Sequence, residues 1–189
     1  MRLVLASRND HKRREFARLM GGHVIDPLPE GVRLPPETGT TFAANALVKA
    51  QAAADATGSA SIADDSGIEA EALGGGPGIR SARFAGDGAS DADNLAKFRH
   101  EVPAGSGLAY VCALAIADPV AGTTHVVEGR CHGTMSAHER GVRGFGYDPV
   151  FVAAGLQGGR TMAELTDAEK DAVSHRGEAA RALMAWLAG

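Results

Sequence analysis

Residues 3–14 read Leu-Val-Leu-Ala-Ser-Arg-Asn-Asp-His-Lys-Arg-Arg, an apolar run that breaks into a short polar loop and then into a cluster of cations. Leu3 to Ala6 suits a short buried strand. From Lys12 to Met20, the residues Phe16, Leu19 and Met20 fall on one face of a helix. A strand passing directly into a helix is the opening of an α/β chain, and the pattern continues outward from it. His23 to Ile25 suits a second strand, and a Pro/Gly-rich loop runs from Pro27 to Gly39. An alanine-rich helix over Phe42 to Ala56 ends near Gly58. Ser61 to Ala63 reads as a strand leading into Asp64-Asp65-Ser66-Gly67, after which Ile68, Ala70 and Ala72 alternate with Glu69 and Glu71 at strand period. Gly74 to Gly78 is a turn, and Leu108–Ala117 and His125–His132 are further strands. A glycine-punctuated loop leads to Gly144–Phe151. Two short helices close the chain: Thr166 and Glu169 form a capping-box pattern opening the first, and Ala179, Ala180, Leu183, Met184 and Leu187 keep helical spacing in the second. Strands mixed with helices in this way predict an α/β fold with a mixed β-sheet. No linker divides the chain, so residues 1–189 are expected to form one domain.

Composition narrows the partners. A hydrophobic share of 44% suffices for a core. The net charge of −4 excludes a chain built as a whole for nucleic acid, so any anion site is local. Cys112 and Cys131 show no CxxC or Cys/His spacing, which favours reduced thiols over a zinc site. Only a short apolar run precedes Ser7, unlike a signal peptide, and no stretch approaches the roughly 20 apolar residues that span a bilayer. A soluble, cytoplasmic protein with no membrane partner is the expectation.

Two helix starts carry the wrong charge. A helix N-terminus bears partial positive charge, so Lys12, Arg13 and Arg14 in a first turn are each unfavourable by a few tenths of a kcal/mol, roughly. A bound anion reverses that sign, and free N–H groups with Ser7, Asn9 and Lys12 would make a phosphate cradle; a solvated basic face is the alternative. The segment is not a GxxxxGK[ST] loop. The inversion recurs at Ser174-His175-Arg176-Gly177, with Ser174 a cap candidate for the last helix. There an electron-rich ligand group would again resolve the conflict, and a surface His and Arg would explain it equally.

Asp64-Asp65 is expected at the end of a strand, where α/β active sites commonly lie. Because consecutive strand residues point to opposite faces, only one of the two acids should enter a given cleft. Glu37 sits in a loop just before a helix and could approach it. Carboxylate oxygens suit magnesium, with water and phosphate completing its shell, although Asp64 could equally cap a turn. Asn45 and Lys49 stand four apart and share a helix face. Gly144-Phe145-Gly146-Tyr147-Asp148-Pro149 places aromatics and an acid in a loop that could stack and hydrogen-bond a base, or simply anchor a core.

Together these segments resemble the inosine/xanthosine triphosphate pyrophosphatase family, the Ham1-like non-canonical purine NTP pyrophosphatases. The matching blocks are residues 3–12, Glu37 to Phe42 with Asn45-Ala46 and Lys49-Ala50, Ile62 to Gly67, Pro77-Gly78 with Ser81-Ala82-Arg83, Gly144 to Phe151, and Glu164-Leu165 through Lys170 to Gly177. They occur in family order over nearly the whole chain. The resemblance implies an elongated mixed β-sheet with flanking helices, two lobes around a nucleotide-binding cleft, and a homodimer. It implies that Ser7, Arg8, Asn9, Asp10, His11 and Lys12, with Lys49, hold the triphosphate. Glu37 and Asp65 would bind Mg2+, with Asp65 also the general base and Ser66 a substrate contact. Phe145, Gly146, Tyr147, Asp148, Lys170, His175 and Arg176 would receive the purine. Arg8 departs from the family pattern, standing where a small residue is frequent, and so does the short stretch from Phe98 to Gly107.

The implied reaction is attack of water, polarised by Asp65, on the α-phosphorus of dITP, ITP or XTP, which releases pyrophosphate. Donors at Lys170, His175 and Arg176 suit the O6 acceptor of hypoxanthine and xanthine and mismatch the amino group of adenine. Maf-type pyrophosphatases share the opening strand and basic loop but carry a Ser-Pro-Arg-Arg-type loop and lack the Asp-Asp-Ser-Gly and Gly-Phe-Gly-Tyr-Asp-Pro blocks. A nucleotide-sensing or RNA-binding module would have no need of the combined set Glu37, Asp65, Lys12 and Lys49.

Overall fold

The computed structural model describes all residues from Met1 to Gly189. A six-stranded sheet has the order β2-β1-β3-β4-β5-β6, with β1 at Arg2–Leu5, β2 at Val24–Pro27, β3 at Ser61–Ala70, β4 at Gly107–Asp118, β5 at Thr123–Met135 and β6 at Phe151–Ala153. β1 runs parallel to β2, with Leu3 opposite Ile25, and parallel to β3, with Leu5 opposite Ile62. β6 is antiparallel to β5, with Thr134 opposite Val152. The short link between β4 and β5 makes a hairpin, closed where Asp118 Oδ1 accepts from the N–H groups of Val120 and Ala121. The sheet is therefore mixed and flanked by helices, as the sequence pattern predicts.

The helices are α1 (Asp10–Leu19), α2 (Phe42–Thr57), α3 (Asp91–Glu101), α4 (Asp167–Val173) and α5 (His175–Ala188). Thr41 caps α2 by accepting from Ala44 N at 3.1 Å, and Gly58 ends the helix in the left-handed region at φ 63°. α2 buries Phe42, Asn45, Ala46, Lys49, Ala50, Ala53 and Ala54 on a single face. Small side chains on that face let the helix lie close to its neighbours, and they carry Asn45 and Lys49 inward with them. α4 opens with the expected Thr166–Glu169 capping box. α3, which the apolar pattern does not reveal, opens with the same device in Ser90 and Asp93.

Strand β3 corrects one expectation. Asp64 and Asp65 lie in the middle of one continuous ten-residue strand rather than at the end of a short one. The strand is buried for most of its length, so its residues read as an apolar run interrupted by acids rather than as an alternation.

The chain forms two compact units woven from separate segments. The first comprises Met1–Asp65, Cys112–Gly129 and Arg176–Gly189, and the second Ser66–Val111 and Arg130–His175. Each has its own core. In the first, Leu3, Leu5, Phe16, Met20, Ile62, Leu114 and Leu183 pack together. In the second, Ile68, Phe98, Leu108, Tyr110, Val150, Phe151, Met162 and Leu165 do so. Fully burying one such side chain contributes about 1.5–3 kcal/mol, so each unit holds a substantial share of the stability.

Candidate active site

Acids and amines from four elements meet inside the first unit. Lys12, from the first turn of α1, places its ammonium 2.9 Å from Oδ2 of Asp64. Arg176, in the first turn of α5, donates from Nε to the same oxygen at 3.4 Å and from Nη1 to Glu15 of α1 at 3.2 Å. Lys49 of α2 donates to the main-chain oxygen of Asp64 at 2.8 Å and to Oε1 of Glu37, and its Nζ lies 4.0 Å from Oδ1 of Asp65. Asn45 donates to Oδ2 of Asp65 at 2.8 Å. Asp64 and Asp65 thus serve different partners, as the opposite faces of a strand require. Lys49 is a buried charge and not a solvated one.

This wiring revises the reading of both charge-inverted helix starts. The anion that offsets Lys12 and Arg176 is supplied by the protein itself, chiefly by Asp64, with Glu15 completing the pairing. Asp10 enters the first turn of α1 and pairs with Arg13 at 3.3 Å. The expected free N–H groups are also partly used: Asn9 caps α1 through Oδ1, accepting from His11 N at 2.9 Å and Lys12 N at 3.2 Å. Ser7 Oγ accepts from Asn9 N, and His11 Nδ1 lies 3.2 Å from Nη2 of Arg14. Arg8 turns to the following loop, donating to the main-chain oxygens of Leu28, Pro29 and Val32 at 2.9–3.0 Å.

In the second unit the organising group is Asp148. Its Oδ2 accepts from Lys170 Nζ at 2.7 Å and from Phe145 N at 3.0 Å, while its Oδ1 accepts from the Tyr110 hydroxyl at 3.1 Å. Gly144 is required here: its φ is +75°, and a Cβ would fall 2.0 Å from Oδ2 of Asp148. Lys170 lies 5.2 Å from the centroid of the half-buried Phe145 ring. His175 stacks on Tyr110 at 4.7 Å, and Tyr110 stacks on Phe151 at 4.3 Å. Tyr147 is drawn into the core, where its hydroxyl donates to Ser81 O at 2.7 Å. Gly146 N donates to Asp91, and Ser66 is half-buried on β3.

The electrostatics separate the paired acids. Burial pushes the Asp64 carboxyl up, but Lys12, Arg176 and Lys49 outweigh it and hold the group well below the usual carboxylate range. Burial raises Asp65, and Lys49 and the Asn45 hydrogen bond offset this only in part, while Glu37 adds to the rise. Burial lowers Lys49, yet Asp64, Glu37 and Asp65 together raise it. The two neighbouring acids are thus pushed in opposite directions, Asp64 toward the charged form and Asp65 toward the neutral one.

The donor chemistry suits a hard divalent cation. Glu37 and Asp65 converge on one positive point, at present the Lys49 ammonium. No three His, Cys, Asp or Glu side chains gather into a full cage. Two carboxylates with room for water and phosphate oxygens are the set magnesium accepts. The two buried cysteines lie in different units.

Sequence reading did not place Asp64, Asn45 or Glu15 among the site residues. Asn45 left a trace, since an amide is a mediocre choice within an alanine-rich helix. Glu15 left none.

The chain matches the Ham1 family over residues 3–186. It is 47% identical to a protein of Frankia alni named dITP/XTP pyrophosphatase, over 99% of this chain and 97% of that one. A Ham1 protein structure from Coxiella burnetii superposes with a TM-score of 0.86 at 36% identity, covering 100% of this chain and 98% of the other. The crystal structure of a nucleoside-triphosphatase, dITP/XTP pyrophosphatase, from Mycobacterium abscessus is 45% identical, with a TM-score of 0.73 and 99% coverage of both chains. A match of this extent in sequence and in fold shows that the chain belongs to the Ham1 family.

Proposed function

We propose that the protein hydrolyses the non-canonical purine nucleoside triphosphates dITP, ITP and XTP to the monophosphate and pyrophosphate, with magnesium as cofactor, as a homodimer in the cytoplasm. Such an enzyme removes these nucleotides from the pool before they enter DNA and RNA. The relatives' names support the substrate class. No helix is long and apolar enough to cross a membrane.

The observation that carries the chemistry is the cluster of buried Asp64, Asp65 and Lys49 with half-buried Glu37 and Lys12 in one unit. Asp65 takes a proton from a water whose oxygen forms a bond to the α-phosphorus. The bond from that phosphorus to the bridging oxygen breaks, and pyrophosphate leaves with the electron pair. Lys12 and Lys49 neutralise the triphosphate, and Asp64 holds Lys12 in place between turnovers. Glu37 and Asp65 would hold the magnesium ion, which when bound would supply further charge neutralisation. Most of the rate enhancement rests on positioning and charge rather than on covalent chemistry.

Base choice follows from the second unit. The Lys170–Asp148 pair sets an ammonium donor beside a carboxylate acceptor. Hypoxanthine and xanthine offer the complement, an O6 acceptor beside an N1–H donor, whereas adenine reverses both. His175 and Phe145 supply ring faces.

ITP, XTP, GTP and ATP, each offered with magnesium, test the proposal through the released product. Pyrophosphate from ITP and XTP at rates far above ATP is expected. Orthophosphate as first product overturns the α-phosphorus mechanism, and equal rates on ATP overturn the base assignment.

A further inference from the structure

Asn45 is 1% exposed and makes two side-chain hydrogen bonds at opposite ends of its amide. Oδ1 accepts from Gly39 N at 2.8 Å, and Nδ2 donates to Asp65 Oδ2 at 2.8 Å. The first bond fixes the second. A main-chain N–H needs an acceptor, so the carbonyl end of the amide must face Gly39 and the NH2 end must face Asp65. The contact is also tight. A Cβ on residue 39 would lie 2.6 Å from Asn45 Oδ1 and 3.0 Å from Ala44 Cβ, so only glycine lets the loop come this close.

Gly39 stands two residues after Glu37 in the same loop. One buried amide therefore ties the loop that carries Glu37 to the strand residue Asp65. It occupies one oxygen of Asp65 and leaves Oδ1 on the side of Lys49 and Glu37. We infer that Asn45 is a positioning residue for the divalent cation, latched by Gly39, which sets the separation of Glu37 and Asp65 and directs a single oxygen of Asp65 toward the ion. This rests on the metal-dependent reading of the preceding subsection. The amide touches neither the reacting phosphorus nor the ion; it acts through the two carboxylates. Groups that orient metal ligands in this way are commonly worth about 10–100-fold in metal affinity or activity.

Two variants test the inference from opposite ends of the latch. Asn45→Ala removes the amide, and Gly39→Ala keeps it but forces the loop away while leaving Asp65 and its strand unaltered. Mn2+ alone serves as the probe, titrated by electron paramagnetic resonance against the full-length protein, with a melting curve for each variant. In both, the Mn2+ dissociation constant is expected to rise about tenfold or more. In parallel, pyrophosphate release from ITP should need correspondingly more Mg2+ for half-saturation, while the KM for ITP at saturating Mg2+ stays within about threefold, since the contacts made by the nucleotide are intact. Gly39→Ala keeps the test open if Asn45→Ala does not fold. Wild-type Mn2+ affinity in either folded variant overturns the role of Asn45 alone. Absence of Mn2+ binding by the wild-type protein overturns the metal reading, and the inference with it.

Discussion

Oδ2 of Asp64 receives both Lys12 Nζ, at 2.9 Å, and Arg176 Nε, at 3.4 Å, so one solvent-excluded oxygen joins the first turn of α1 to the first turn of α5. Removing one partner of a buried ion group leaves the others uncompensated, which costs about 3–5 kcal/mol. Asp64→Asn is therefore expected to lower the melting temperature by roughly 10 °C, as read by calorimetry or circular dichroism. The sign with pH follows from the depressed folded-state value. Its stabilising effect is complete above the ordinary carboxylate range and is lost as pH falls through the folded-state range. The wild-type melting temperature should then fall more steeply below about pH 4 than that of Asp64→Asn. Parallel curves would show that another group dominates acid unfolding.

Asp65 carries the opposite sign. Its folded-state value is raised, so ionisation is less favourable in the folded protein than in the unfolded chain, and the ionised carboxyl at neutral pH costs stability. Asp65→Asn is expected to melt at or a few degrees above the wild type at pH 7, roughly, while turnover of ITP falls by about a thousandfold or more. The stability gain should vanish toward acid pH, where the wild-type carboxyl is itself neutral. A large drop in melting temperature at pH 7 would mean that the Lys49 and Asn45 contacts outweigh burial.

The contrast between these neighbours marks where the sequence stops being legible. The pair could be read as candidates for a metal site, one of them entering a cleft, because two acids follow an apolar strand. Which one is buried among cations depends on Arg176 and Lys12, far away in sequence, and no local spacing reports that. The same limit hid Glu15, whose helix looks like a solvated basic one until Arg176 is set against it. α3 is a different case. Its Ser90–Asp93 capping box was present in the sequence, but a weak apolar face gave no periodicity to draw attention to it. β1, β4, β5 and α2 were legible because buried apolar runs and a terminal glycine are local signals, whereas β3 was read only in pieces and β6 not as a strand. Tyr147 was legible as a core anchor, one of the two readings its loop allowed, but Asp148 was not legible as a hub for Lys170 and Tyr110.

The Lys170–Asp148 pair predicts a selectivity change separable from phosphate binding. Lys170→Met removes the donor proposed for O6 and leaves Asp148 with neutral partners only, Tyr110 and Phe145 N. The ratio of kcat/KM for ITP over ATP is expected to fall at least tenfold or so, because the mismatch that rejects adenine is halved. Competitive inhibition by inorganic tripolyphosphate, which has no base, should hold within about twofold, since Lys12 and Lys49 are untouched. If both quantities fall together, Lys170 supports the fold rather than reading the base. A melting curve on the same variant separates that case from simple unfolding.

Arg8 gives the sharpest conflict between resemblance and geometry. By position it belongs to the triphosphate loop, yet its guanidinium is engaged by the oxygens of Leu28, Pro29 and Val32. Hydrogen bonds of this kind contribute about 0.5–1.5 kcal/mol each, more with a charged donor, and they anchor a loop that has no regular structure of its own. Arg8→Ala should therefore speed limited proteolysis within residues 28–34 while changing the KM for ITP by less than about threefold. A triphosphate ligand lost from the site would instead raise KM about tenfold or more and leave cleavage of the loop unchanged. Arg8→Lys sharpens the comparison: a lysine keeps the charge that would attract phosphate but cannot reach three oxygens at once. Restored KM with persistent proteolysis would assign Arg8 to the substrate, and persistence of the proteolysis alone, with KM normal throughout, assigns it to the loop.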